Sequence, residues 1–195
     1  HDEAVCGLAS AVTRWTRACD KRLFRLMSYI NATLDKVLVG TVSRATRAED
    51  LFAELFSDAD WAGCLKTARS TNGAACFIAA PGTRFPIAGK SSKQTCTSTS
   101  TPEAELVSAS FAMRTTGIPI LDLMESVLER DVQLVFQEDN QTAITTIEAG
   151  FSNTMRHLKR CHNISLKWLH DVISADPCVQ LQYCLSHDMA ADIYT

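Results

Sequence analysis

Four carboxylates stand apart in the sequence by where they fall. Asp58 follows a short apolar run that begins at Leu51, and Glu105 lies in the first turns of a helix that opens near Thr101. Asp139 closes an apolar run at 132–137, and Asp192 sits in a final helical segment. Acids delivered from separate elements, several at strand ends, are how a fold gathers oxygen ligands for a hard cation. Mg²⁺ takes few protein carboxylates, keeps waters and completes its shell with phosphate oxygens. Two such ions about 3.5–4 Å apart can clamp an in-line phosphodiester displacement. The chain has 22 Asp+Glu, so spacing alone leaves a second reading open, in which these acids are solvated caps. No G-x-S-x-G elbow is present to suggest a nucleophile triad. There is also no G-x-x-x-x-G-K-[ST] phosphate loop.

The elements that must position these acids follow from patterning. Leu51-Phe52-Ala53-Glu54-Leu55-Phe56 reads as a strand leading into Ser57-Asp58-Ala59-Asp60. Asn72-Gly73 reads as a turn before a second strand at 74–78, and Pro81-Gly82 as a turn before a third at 85–89. Closely spaced strands with tight turns predict an antiparallel meander. Thr101-Pro102-Glu103 carries a helix start, with hydroxyl at the N-cap, proline at N1 and an acid in the first turn. That helix is expected to run to about Gly117, with Pro119 restarting another. Val132 to Phe136 suits a buried strand, 140–148 a short helix, 154–173 a longer one, and 179–184 a last strand. Residues 188–195 read as the opening of a terminal helix. Strands, helices, strand, helices, strand predicts an α/β fold with a mixed sheet and helices packed on it.

Composition narrows the function classes. With 195 residues, 46% of them hydrophobic, the chain is long enough for a real core and too mixed for a coiled coil, a collagen or a disordered tail. Nineteen Lys+Arg against the acids give a net charge of −3, so any nucleic-acid binding must come from a local basic patch. No apolar run approaches the roughly 20 residues that span a bilayer. The start at His1-Asp2-Glu3, with no signal-peptide pattern, suggests a piece of something longer. The eight cysteines show no C-x-x-C pair and no zinc-like spacing, which favours reduced, mostly buried thiols.

Two basic regions qualify as such patches. Residues 11–47 hold Arg14, Arg17, Lys21, Arg22, Arg25, Lys36, Arg44 and Arg47 against two acids. Leu23, Leu26, Met27 and Ile30 recur at helical spacing there, so a basic amphipathic helix over 12–32 faces either solvent or a polyanion. On the helix expected at 154–173, Arg156, Lys159, Arg160, Asn163, Lys167 and His170 form one stripe suited to phosphates.

The local motifs sharpen the picture. Phe56-Ser57-Asp58-Ala59-Asp60-Trp61-Ala62-Gly63-Cys64 is followed by Arg69-Ser70-Thr71-Asn72-Gly73, then Ser91-Ser92-Lys93-Gln94. Ser100-Thr101-Pro102-Glu103-Ala104-Glu105-Leu106, Glu138-Asp139-Asn140-Gln141-Thr142-Ala143-Ile144 and Ala191-Asp192-Ile193-Tyr194-Thr195 complete the series. In this order the blocks resemble the ribonuclease H domain of copia-type LTR retrotransposon polyproteins over about residues 51–195. The family's S-S-K-x-Q run is one residue shorter here. Residues 19–36, from Cys19-Asp20-Lys21-Arg22-Leu23 to Asp35, resemble the helical tail of the reverse transcriptase that precedes that domain.

The resemblance implies an RNase H-like mixed five-stranded sheet, three antiparallel strands then two parallel, flanked by helices. It divides the chain into a reverse-transcriptase tail at 1–50 and an RNase H-like domain at 51–195, truncated in its last helix. It implies endonucleolytic, two-metal hydrolysis of the RNA strand of an RNA–DNA hybrid, with Mg²⁺ as the ion and Mn²⁺ as a substitute. Asp58, Glu105, Asp139 and Asp192 would be the catalytic, metal-binding acids. Asp60 rivals Asp58, Glu103 rivals Glu105, and Asp188 rivals Asp192.

Substrate contacts implied are Ser100 and Thr101 to the backbone and Gln141 to the minor groove, where 2′-hydroxyls distinguish RNA from DNA. To these the basic stripe adds Arg156, Lys159, Arg160 and Lys167. His187, five residues before Asp192, stands near the place of a loop histidine that assists product release in cellular relatives; the residues themselves favour an ordinary exposed loop histidine. The partners implied are the hybrid and the rest of the reverse transcriptase polyprotein, with no membrane, in an intracellular setting: the cytoplasm or virus-like particles. A catalytically silent RNase H-fold module is the alternative. An integrase or resolvase fits the E-A-E-L and D-N-Q blocks poorly.

Overall fold

The computed structural model describes residues 2–64 and 67–195. Its centre is a five-stranded sheet in the order β3-β2-β1-β4-β5. The strands are β1 (Phe52–Asp60), β2 (Thr71–Ala80), β3 (Thr83–Lys93), β4 (Leu134–Glu138) and β5 (Val179–Tyr183). β1, β2 and β3 pair antiparallel, whereas β4 pairs parallel with both β1 and β5. This is the mixed α/β architecture that the sequence led us to expect. The tight β2–β3 turn falls at Pro81-Gly82, where Gly82 adopts φ 73°, the left-handed geometry that glycine tolerates.

The first three strands are longer than the patterning indicated. β1 runs on through Asp60, because β2 pairs with it along its whole length, from Phe52 opposite Ala79 to Asp60 opposite Thr71. Asp58 is therefore inside a strand rather than after one. Asn72-Gly73 is strand, not turn, and the chain reverses before Thr71. Gly73 is there for close approach: a Cβ on it would sit 2.6 Å from Thr195 Cγ2 and 2.7 Å from the Ala191 carbonyl oxygen.

The sheet is covered by α3 (Thr101–Ala112) and α4 (Ile118–Leu128), joined through a π-helical turn at Met113–Gly117. α5 (Gln141–Ala149), α6 (Leu158–Cys161) and α7 (Leu166–Ala175) complete this layer. α3 is buried on most sides, and its Leu106 packs with Leu55, Leu134 and Phe136 in the main core. Each such side chain, fully withdrawn from water, contributes roughly 1.5–3 kcal/mol. The Ser100 side chain accepts from the Glu103 N–H, so Ser100 rather than Thr101 caps α3.

Three helical expectations are corrected. The span 154–173 is not one helix: α6 ends at Cys161, Asn163 takes φ 55°, and Ser165 caps α7 by accepting from the Trp168 N–H at 3.2 Å. The break lets both His162 and Ile164 turn inward. The basic stripe drawn on a continuous helix is thus divided between two elements and the loop before them. Residues 188–195 form no α-helix, only short 3₁₀ turns at Ser186–Asp188 and Asp192–Tyr194. At the other end, α1 (Asp2–Ala9), which patterning missed, precedes a 3₁₀ turn at Val12–Arg14 and then α2 (Arg17–Ala32).

The N-terminal segment lies against the sheet edge. α1 packs on β3, Thr41 bridges to Arg84, and the Ser43 N–H donates to Thr83 Oγ1 at 2.8 Å. Leu23, Phe24 and Met27 of α2 are exposed, and only Cys19 of that helix is buried. All eight cysteines are free, but only Cys19 and Cys76 are buried, so the expectation of mostly buried thiols is also corrected. Among the described residues no helix is long and apolar enough to cross a membrane.

Candidate metal centre

Asp58, Glu105 and Asp139 converge. Each offers a carboxylate oxygen, and these three atoms lie within 4.8 Å of one another. Asp58 comes from β1, Glu105 from the second turn of α3, and Asp139 from the residue after β4. β1 and β4 are parallel neighbours, which brings the C-terminal end of β4 beside Asp58. Ser108, one turn beyond Glu105, fixes the helix to the strands: its Oγ lies 2.5 Å from the Asp58 carbonyl oxygen and 3.3 Å from that of Gly73. Asp139 is steadied from the opposite side by the Ser186 hydroxyl, which donates to its Oδ2 at 2.7 Å.

Burial and crowding of like charge set the electrostatics. Asp58 is pushed from 3.8 up to about 6 by burial, with Asp192 and Asp139 adding to the rise and the hydrogen-bonding Thr195 side chain opposing it. Glu105 is pushed far above the carboxylate range by burial, then by Glu138, Asp58 and Asp139. Its Oε2 is buried and makes no hydrogen bond. A buried, unpartnered carboxylate oxygen is costly unless something charged completes it. Three oxygen donors around such an atom fit a hard divalent cation and suit neither zinc thiolate nor copper chemistry.

Asp192 stands apart from this tight group. It is exposed at the start of the last 3₁₀ turn, near enough to Asp139 that burial and that carboxylate raise its pKa. The rivals are placed differently. Asp60 Oδ1 accepts from the Thr71 N–H and so closes the end of the β1–β2 ladder. Glu103 is 1% exposed. It accepts from the Thr99 N–H at 2.9 Å, from the Thr99 hydroxyl and from His157 Nε2 at 3.1 Å. Asp188 is exposed beside His187, whose Nε2 lies 3.4 Å from its Oδ2.

Sequence reasoning missed Glu138. It is fully buried, its Oε2 accepts from Ser57 Oγ at 2.9 Å, and its Oε1 accepts from the Asn140 N–H at 3.2 Å. Burial raises its pKa, and Asp139 and Asp58 add to the rise against the Ser57 and Asn140 hydrogen bonds. Period-2 alternation could have found it: Leu134, Phe136 and Glu138 share the inward face of β4.

The expected substrate contacts are scattered around this centre. Ser100 and Thr101 lie at the start of α3, and Gln141 opens α5, exposed. Arg156 precedes α6 and donates to Asn153 Oδ1 at 2.9 Å. Lys159 and Arg160 are exposed on α6, and Lys167 on α7 pairs with Asp171 at 3.0 Å.

No protein-family model matches the chain, and no curated protein matches it. Among solved structures, a prototype foamy virus protease–reverse transcriptase (a CSH mutant) aligns at 13% identity with TM-score 0.47, covering 78% of this chain and 20% of that one. The NurA nuclease from Sulfolobus solfataricus aligns at 11% identity with TM-score 0.43, covering 92% of this chain and 65% of that one. The chain therefore spans about a fifth of the first relative's length and just under two thirds of the second's.

Proposed function

We propose that this chain is a divalent-cation-dependent nuclease domain that hydrolyses the RNA strand of RNA–DNA hybrids, as in retrotransposon reverse transcription. The observation that carries the reading is the convergence of Asp58, Glu105 and Asp139, with one buried Glu105 oxygen left unpartnered. These three would hold Mg²⁺ or Mn²⁺, with Asp192 as the outer ligand of a two-ion site. The ions, when bound, supply an acidified water and stabilise the leaving oxygen. Ser108 and Ser186 keep two of the carboxylates in place, and Glu138, behind them, presses Glu105 to accept positive charge. Gln141 at the start of α5 and Ser100 and Thr101 at the start of α3 are the proposed contacts to the hybrid. Arg156, Lys159, Arg160 and Lys167 would follow its phosphates from two short helices and a loop. The proposed partners are the hybrid and the remainder of the reverse transcriptase polyprotein.

One observation favours the silent-module alternative: Asp192 lies outside the tight cluster. The discriminating experiment is cleavage of a labelled RNA–DNA hybrid with and without Mg²⁺, alongside thermal melting. Binding to the native state alone raises the melting temperature by mass action. Hydrolysis that needs the ion supports the nuclease. A melting temperature indifferent to millimolar Mg²⁺ or Mn²⁺, with no hydrolysis, overturns it.

A further inference from the structure

A cavity of about 760 Å³ separates α2 from the C-terminal turn. Arg22, Arg25, Leu26 and Tyr29 line one wall, at the i, i+3, i+4, i+7 spacing that makes one helix face. Ile193 and Thr195 line the other. Thr195 links this wall to the candidate centre: its Cγ2 packs against Gly73, which pairs with Asp58 across β1 and β2. One wall of the cavity thus backs onto the β1–β2 pair that carries Asp58.

Two features point to the occupant. Arg22 and Arg25 are exposed and form ion pairs with none of the described side chains. Both are therefore placed to take an anion from solution. Arginine forks suit phosphate oxygens, and a half-exposed tyrosine ring on the same face suits a stacked base. The volume is that of a small-ligand site, enough for about one or two nucleotides of a single strand and too small for a duplex.

We propose that this groove binds single-stranded nucleic acid, with Arg22 and Arg25 on its phosphates and Tyr29 against a base. On the nuclease reading, on which this placement rests, the occupant is the unpaired continuation of a strand held at the carboxylates. The test is fluorescence anisotropy with labelled oligo-dT and oligo-rU over a salt series. The wild-type chain is compared with Arg22→Gln/Arg25→Gln and with Arg17→Gln/Lys21→Gln, an equal charge loss on the same helix but outside the cavity. Circular dichroism checks that each variant is folded.

We expect the first variant to bind on the order of tenfold more weakly, and its salt slope to fall by roughly 1.4, about 0.7 for each of two lost phosphate contacts. The control pair should keep the wild-type slope. Preference for oligo-dT or oligo-rU identifies which strand occupies the groove. No binding by wild type, or equal losses in the two variants, overturns the proposal and leaves a protein segment as the occupant. Cleavage of a blunt hybrid is scored separately. If wild type fails to cleave but its single-strand affinity depends on Arg22 and Arg25, the nuclease reading falls and the groove stands.

Discussion

Glu103 and Glu105 lie two residues apart on α3 and have opposite electrostatic fates. Burial pulls both upward, but at Glu103 the Thr99 hydrogen bonds and His157 outweigh it and hold the carboxyl below its ordinary value. Glu105 has only the Ala59 N–H to oppose the rise, faces three other acids and is driven up. A helix turns about 100° per residue, so two residues apart is opposite sides: one acid serves the fold and the other faces the candidate centre.

Substitution should separate the two. Glu103→Ala leaves Thr99 and His157 without their acceptor, removes the carboxylate 3.2 Å from the buried His162 Nε2, and should cost about 3 kcal/mol of stability, read from urea denaturation. Glu105→Gln should instead raise the melting temperature of the cation-free protein while abolishing its stabilisation by Mg²⁺. Loss of stability in Glu105→Gln comparable with Glu103→Ala would show that Glu105 is structural.

Asp139→Asn keeps shape and removes one charge from the crowded site. The fold should survive, and hydrolysis of a labelled hybrid should fall by two orders of magnitude or more, as when a preorganised electrostatic group is lost. Asp60→Asn is the matched control and should stay active, since its role is to accept from Thr71. Cleavage abolished by Asp60→Asn and spared by Asp139→Asn would reverse the site assignment.

The raised Asp58 makes stability pH-dependent. Its folded pKa, about 6, is above its unfolded 3.8, so its contribution is fully present below about pH 4 and is lost as pH rises through 6. Without divalent ions, this one group should lower stability by about 2 kcal/mol between pH 4 and 7, after discounting for partial solvent exposure. Added Mg²⁺ should restore it at pH 7 and do little at pH 4, where protons hold the same oxygens. Melting curves at both pH values check this; a Mg²⁺ effect equal at the two would contradict it.

Glu138→Gln tests the acid behind the centre. Gln keeps an acceptor for the Asn140 N–H and can donate its amide to the Ser57 hydroxyl oxygen, while removing the charge that presses on Glu105. Divalent affinity should fall by roughly 10–100-fold, the usual effect of changing a supporting group, with the fold retained. Isothermal titration with Mn²⁺ measures it, and an unchanged affinity would make Glu138 a structural acid only.

The sequence by itself determined the α/β architecture. Alternating and apolar runs placed all five strands, and Thr101-Pro102-Glu103 placed the opening of α3, because local patterning and capping chemistry act over a few residues. The motif blocks also singled out Asp58, Glu105 and Asp139, the acids that the structure gathers.

Only tertiary structure decided the rest. β1 and β2 extend through Asp58 and Asn72-Gly73 because each strand supplies the other's hydrogen bonds, which a local turn signal cannot register. The span 154–173 carries a continuous helical period, yet it breaks so that His162 and Ile164 can be buried, a gain only the packed core provides. Glu103 and Glu105 are the same residue type in the same helix, and Thr99 is a local partner of Glu103 alone. Their other partners come from residues far away in the chain: His157 on one side, and Asp58 and Asp139 on the other.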